Sequence, residues 1–343
     1  YIQLINLFRM IKAGVIGMGI GEKHAQAYDS HPKAILKAIC DFDPNKMQSI
    51  NNRFPNVSSA YEDQSILDDN NIDLVSIASY DNYHCDQIVK AFNSGKHVMA
   101  EKPICLNRNE MEKIIDAQER NNNVKISANH VLRSNSRFNK LKNEVMKGKF
   151  GDIFFIEGDY YWGRSKKLYE WRANMDYYSI ILGAAIHMID LIMWIIGDKP
   201  IAVQAMGNNI ANKNTKLKYN SFSVILLKFE SGIVAKLTGN GPCVHPHYHG
   251  LKIFGTKRTA IHDLSGAYYL ESTTETSEQL PILEPYPEKE SRQKVIHSFI
   301  DSILNPEALP IVPQQDVYNV MSVCFAAEDA IMTGKQIDIN YLG

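Results

Sequence analysis

From residue 11 to about residue 128, short apolar runs alternate with longer amphipathic stretches. The runs at 13–16, 34–40, 73–78, 97–100 and 125–128 have the length and texture of buried strands. Residues 22–28 begin a helix, and 85–93 and 108–121 repeat apolar positions at helical spacing. Ser94-Gly95 closes the first of these, because glycine suits a helix C-terminus. Alternation of this kind predicts a parallel sheet with right-handed crossovers. The second half has a different texture. Strand-like runs at 152–161, 202–207, 221–229, 232–238, 251–254 and 259–263 follow one another, with short turns such as Glu230-Ser231-Gly232. They predict a mainly antiparallel sheet. Helices are expected at 136–147, 184–196, 290–304 and 317–333. The polar, proline-containing stretch 272–290 reads as a surface excursion.

The chain has 343 residues, 45% hydrophobic and 22% charged, with a formal net charge of −1. That suffices for two domains with their own cores. The charge balance gives no broad attraction to nucleic acid or to an anionic membrane. The five cysteines are odd in number, widely spaced and without a C-x-x-C pair, as expected of free thiols in a reducing compartment. No apolar run approaches the ~20 residues needed to span a bilayer, so the cytoplasm is the expected location. Met10 is a possible start, with residues 1–9 then an upstream extension.

Gly17-Met18-Gly19-Ile20-Gly21 lies between a strand and a helix. The first glycine permits a tight turn, the second lets the backbone approach phosphates, and the helix N-terminus offers N–H donors to a pyrophosphate. Gly21 stands as the third glycine, one residue earlier than in G-x-G-x-x-G. Asp41 follows Gly17 by 24 residues at the end of the second strand. A carboxylate there accepts from ribose hydroxyls and repels a 2′-phosphate. No arginine adjoins it in Asp41-Phe42-Asp43, so NAD is expected in preference to NADP. The fold expected is α/β plus α+β. An N-terminal Rossmann dinucleotide-binding domain spans 10–128. An α+β domain with a large, mainly antiparallel open sheet spans 129–343, its final helix able to pack back on the first domain.

Beyond the glycine turn, several pieces occur in order: Ser76-Ile77-Ala78-Ser79 through His84, Gly95-Lys96-His97-Val98, Glu101-Lys102-Pro103, His187-Met188-Ile189-Asp190 and Gly255-Thr256-Lys257. Together, over residues 11 to 339, they resemble the glucose–fructose oxidoreductase, inositol dehydrogenase and rhizopine-catabolism (Gfo/Idh/MocA) family. The resemblance implies a nicotinamide at the sheet edge, with Ser79, Asp81, His84, Glu101 and Lys102 along the cofactor. It often comes with a cis peptide before the proline. It also implies Lys102 and His187 as the proton-handling pair, with Asp190 in support. The expected activity is hydride transfer between NAD and a sugar, polyol or sugar derivative, in a homodimer or homotetramer. Two departures stand out. Inositol-dehydrogenase-like members carry an aspartate where this chain has Gly183, and the usual Thr-Pro-Asn reads Ser79-Tyr80-Asp81. An NAD-dependent glycosidase without net redox change, and a non-catalytic NAD-sensing regulator, remain open alternatives.

Further substrate contacts are expected at Asn129, after the last strand of the first domain, and at Tyr160, Trp162 and Arg172, which offer aromatic faces and a cation. His245, His247 and His249 alternate, which would put them on one strand face. Same-face neighbours along one strand are about 7 Å apart, awkward for zinc. A hydrogen-bonding rim or subunit contact is the expectation there, with no metal.

Overall fold

The computed structural model describes residues 9–274 and 276–343. The expectation about residues 1–9 therefore falls almost wholly outside the described residues. The chain forms two compact units. The first takes the residues up to Ser134 together with Lys289–Val317 and Gly343; the second takes Asn135–Glu288 and Tyr318–Leu342. A single cut near residue 128 thus gives way to a chain that returns to its first unit. None of the helices among the described residues is long and apolar enough to cross a membrane.

In the first unit, β1 (Ile11–Ile16), β2 (Ala34–Cys40), β3 (Ser58–Ala60), β4 (Leu74–Ile77), β5 (His97–Ala100) and β6 (Ile126–Ala128) form one sheet. Its order is β3-β2-β1-β4-β5-β6, and every pairing is parallel. Helices between the strands bury both faces, which is why the strands read as nearly continuous apolar runs. The strand order reverses between β1 and β4, and that reversal opens a crevice at the strands' C-terminal ends. Asp43-Pro44 opens a helix, Pro44–Arg53, whose first N–H groups at Asn45 and Lys46 donate to the Asp43 carboxylate. The returning segment is tied in by side chains. Lys125 Nζ donates to Ser302 O at 2.7 Å, Ser127 Oγ to Val312 O at 2.9 Å, and His297 Nε2 to Ala27 O at 2.9 Å.

The second unit is built on a nine-stranded sheet of order β14-β13-β12-β11-β7-β10-β9-β8-β15. Its strands are β7 (Ile153–Tyr161), β8 (Pro200–Asn208), β9 (Phe222–Phe229), β10 (Val234–Asn240), β11 (Tyr248–Gly255), β12 (Thr259–Asp263), β13 (Gly266–Leu270), β14 (Leu280–Pro281) and β15 (Ile337–Asp338). Among the described residues of this sheet, only β10 and β7 pair in parallel. The stretch 272–290, expected as a surface excursion, contributes β14 to this sheet.

Helix Ile186–Ile196 is apolar nearly all round and almost wholly buried, as such a helix must be. Gly158 on β7 lets it approach. A Cβ there would lie 2.9 Å from Ile192 Cδ1 and 3.1 Å from Met188 Cε. Gly158→Val should destabilise the protein by about 1–3 kcal/mol through overpacking. The urea midpoint measures this, and an unchanged midpoint would refute the packing.

Candidate active site

The glycine turn assigns each glycine a physical job. Gly17 has φ +87°, and a Cβ on it would run into the Ala78 carbonyl and the Ser79 backbone. Around Gly19 nothing lies within 4 Å of a built Cβ, so its backbone is open to a ligand. At Gly21 a side chain would meet Val15 Cγ1 at 2.9 Å, so this glycine sets the packing of helix Gly21–Ser30 on β1. Met18 is buried and Ile20 is exposed. The turn opens onto a cavity of about 520 Å³ whose lining includes Gly17, Gly19, Asp41, Lys46, Ser79 and Tyr80. The open backbone at Gly19 and the size of the cavity both fit a dinucleotide.

Asp41 is buried and holds the turn as well as facing the cavity. Its Oδ2 accepts from Met18 N at 2.7 Å and from Lys46 Nζ at 2.7 Å; its Oδ1 accepts from Asp43 N at 3.0 Å. Lys46 escaped the sequence reading. Its signal was its place in the first turn of the helix that Asp43 caps.

Ser79 Oγ donates to Gln87 Oε1 at 2.6 Å, and Gln87 passes the contact to Asp63 at 2.7 Å; all three line the cavity. Asp81 and His84 do not line it. Asp81 is buried at the start of a short 3₁₀ turn. His84 is fully buried, with Nδ1 donating to Pro103 O at 2.6 Å and Nε2 facing Ser79 O at 3.2 Å. It acts as a strut between the Ser79 turn and the Lys102–Pro103 bond, which is cis, as the resemblance implied.

Glu101, at the end of β5, lies in a buried network. His24 Nε2 is 3.2 Å from Glu101 Oε1, and Asn129 Nδ2 donates to the same oxygen at 2.7 Å. His24 Nδ1 lies 2.9 Å from Ser76 Oγ, which in turn bonds Tyr28 OH at 2.6 Å. Burial alone would raise the Glu101 pKa. The hydrogen bond and charge of His24, the charge of Lys102 and the Asn129 amide overcome it and hold the carboxyl at about 2. Asn129, expected against substrate, is thus engaged with Glu101. His24, which follows Gly21 by one turn, was not singled out from sequence.

In the second unit, His187 opens helix Ile186–Ile196, and Tyr160 projects from β7 on the same face as Gly158. The close approach that Gly158 permits stacks the two rings, with centroids 5.3 Å apart and planes 5° off parallel. Asp190 is buried on the same helix. Trp162 meets Tyr160 edge-on at 6.0 Å. The Arg172 guanidinium packs over Trp162 at 5.2 Å and Trp171 at 4.0 Å, one ring further from His187. His247 and His249 meet Tyr160 edge-on at 5.4 and 5.0 Å. His245 instead stacks on Tyr161 at 4.2 Å. Tyr160 and Tyr161 face opposite sides of β7, so the three histidines do not share a face. The alternation fails because β11 begins only at Tyr248. Among the described residues no group of three or more metal-binding side chains converges.

A family model described as an oxidoreductase family with an NAD-binding Rossmann fold matches residues 11–130, and the GFO/IDH/MocA C-terminal domain matches 138–261. The chain belongs to the Gfo/Idh/MocA oxidoreductase family, and NAD is the cofactor of its first unit. Myo-inositol 2-dehydrogenase of Thermotoga maritima is 24% identical over 342 residues, covering 96% of this chain and 99% of that one. The crystal structure of scyllo-inositol dehydrogenase from Lactobacillus casei with NAD(H) and scyllo-inositol matches with a TM-score of 0.78 at 24% identity, over 96% and 99% of the two chains. The 2,7-anhydro-N-acetylneuraminate hydratase of Escherichia coli is 24% identical over 258 residues, 74% of this chain and 68% of that one.

Asp41→Ala should admit NADP, since it removes the repelling carboxylate and leaves the Lys46 ammonium facing the cavity. The KM for NADP should fall at least roughly tenfold, equivalent to about 1.4 kcal/mol. Unchanged discrimination would refute the assignment. Glu101 has its pKa lowered in the fold, so its stabilising contribution is complete above about 4.5 and is lost as pH falls toward about 2. Glu101→Gln should therefore flatten the acid limb of stability over that window, and an identical limb in both proteins would contradict the network.

Proposed function

We propose that this protein is an NAD-dependent dehydrogenase or reductase of sugars, polyols or their derivatives, acting on a CH–OH group or its carbonyl. The observation that carries the reading lies in one unit. A crevice built for a dinucleotide shares its sheet with a strand end where Lys102 follows the charged, hydrogen-bonded Glu101. The inositol dehydrogenases among the relatives supply the substrate class. Bound NAD would contribute the hydride chemistry. The chain's residues supply the rest. Gly17, Gly19 and the helix N-terminus hold the pyrophosphate, and Asp41 receives the ribose. Lys102 and His187 are the candidates for handling the proton of the reacting hydroxyl. Tyr160 is buried against the His187 ring and Trp162 against Tyr160 and Arg172, so both would act by packing behind the site. Cytoplasmic location and a homo-oligomeric state complete the reading.

The hydratase relative supports a second reading, in which NAD serves a cycle without net redox change. NADH absorbance against a panel of inositols, aldoses and sugar acids separates the two, because only net oxidation accumulates NADH. Lys102→Met should keep NAD affinity and lose about 10²-fold or more of turnover, the usual scale for a proton-transfer group. Wild-type turnover in that variant would remove Lys102 from the chemistry.

A further inference from the structure

The parallel sheet sets the order in which the parts of a dinucleotide can lie. The glycine turn follows β1 and Asp41 follows β2. β3 runs beside β2, with Ala60 opposite Cys40. Neighbouring strands are about 5 Å apart. With the pyrophosphate at the glycine turn and the ribose at Asp41, the base falls toward the residues that follow β3. The cavity of the glycine turn continues there, lined by Tyr61 and Asp63 after β3 and by Gln87 from helix His84–Asn93. Phe42, Tyr61 and Tyr83 all line it, and each is more than half exposed. Large exposed rings around one cavity suit a flat base, because every base has a π-face to stack on them.

One polar chain crosses this end of the cavity. Ser79 Oγ donates to Gln87 Oε1 at 2.6 Å, and Gln87 Nε2 donates to Asp63 Oδ2 at 2.7 Å. Its polarity is fixed. A carboxylate offers only acceptors, so the Gln87 amide must turn its nitrogen to Asp63 and its oxygen to Ser79. Gln87 is buried, which keeps the amide in that setting. The amide nitrogen has two hydrogens and gives one to Asp63; the carboxylate has two oxygens and uses one for Gln87. An acceptor and a donor therefore stand side by side on the cavity wall. Helix capping does not account for the aspartate. Asp63 stands before helix Gln64–Leu67, yet its side chain makes no capping bond to it.

We infer that Asp63 and Gln87 read the base of the cofactor, Asp63 accepting from the adenine N6 amine and Gln87 Nε2 donating to N1. The Watson–Crick edge of adenine offers that complementary pair, a donor beside an acceptor. Hypoxanthine has an oxygen in place of the amine and a proton on N1, so both contacts turn into mismatches. The inference rests on the ribose placement at Asp41, which the NADP test of Asp41→Ala probes separately. It does not depend on which substrate is oxidised.

The test is calorimetric titration of the full chain with NAD and with nicotinamide hypoxanthine dinucleotide, which reads binding without turnover. Wild type should bind NAD at least roughly tenfold tighter, the scale of one matched bidentate contact to a base edge. Asp63→Asn keeps the side-chain volume and can present an amide donor to the base. Its preference for NAD should fall roughly tenfold or more, by weaker binding of NAD and tighter binding of the hypoxanthine analogue. Each ratio is taken within one protein, so a general loss of affinity cancels. Equal affinities in wild type overturn the inference and need no variant. A wild-type ratio retained in Asp63→Asn also overturns it, leaving Asp63 as a brace for Gln87 alone.

Discussion

A charged carboxylate largely withdrawn from water is costly unless it is paired and hydrogen-bonded. Glu101 meets that condition through partners from three places in the first unit. His24 comes from the helix of the glycine turn, Asn129 from just beyond β6, and Lys102 is its own neighbour. One oxygen therefore ties together the start of the dinucleotide-binding helix, the end of β5 and the end of β6. The residue that follows is the lysine on which the proposed chemistry depends. Its backbone is held from the other side by His84, which bonds the Pro103 carbonyl.

Asp41 works by the same logic on the other side of the crevice. It faces the cavity where a ribose would bind, and it also accepts from Met18 N–H in the glycine turn. In the proposed reading, recognition of the cofactor and the shape of its cradle would both be carried by one carboxylate. In the second unit an absence of side chain does comparable work. Gly158 lets the apolar helix settle on β7, and the stacking of His187 on Tyr160 follows from that contact.

The parallel sheet was legible because its buried strands are short apolar runs separated by amphipathic helices, a pattern that survives without any knowledge of contacts. Helix Pro44–Arg53 was harder to read. Only Met47 and Ile50 are buried in it, so its apolar stripe is too thin to stand out from a polar loop. The return of residues 289–317 to the first unit is set by pairings such as Ser127 with Val312, separated by 185 positions, which no local pattern records. At the site, Gly17, Gly19, Gly21, Asp41 and Lys102 could be picked out because each sits at a strand–helix junction. His24 and Glu101 are 77 positions apart, and nothing in either neighbourhood announces the other.

In the proposed reading, the crevice and Lys102 serve hydride transfer from a carbon-bound hydroxyl. The most direct measurement uses an inositol deuterated at its ring carbons, with the reduced dinucleotide analysed by mass spectrometry. One deuterium in the NADH formed, with a ketone product in equal amount, is the expected result. Consumption of NAD-bound substrate with no labelled NADH and no ketone would contradict it.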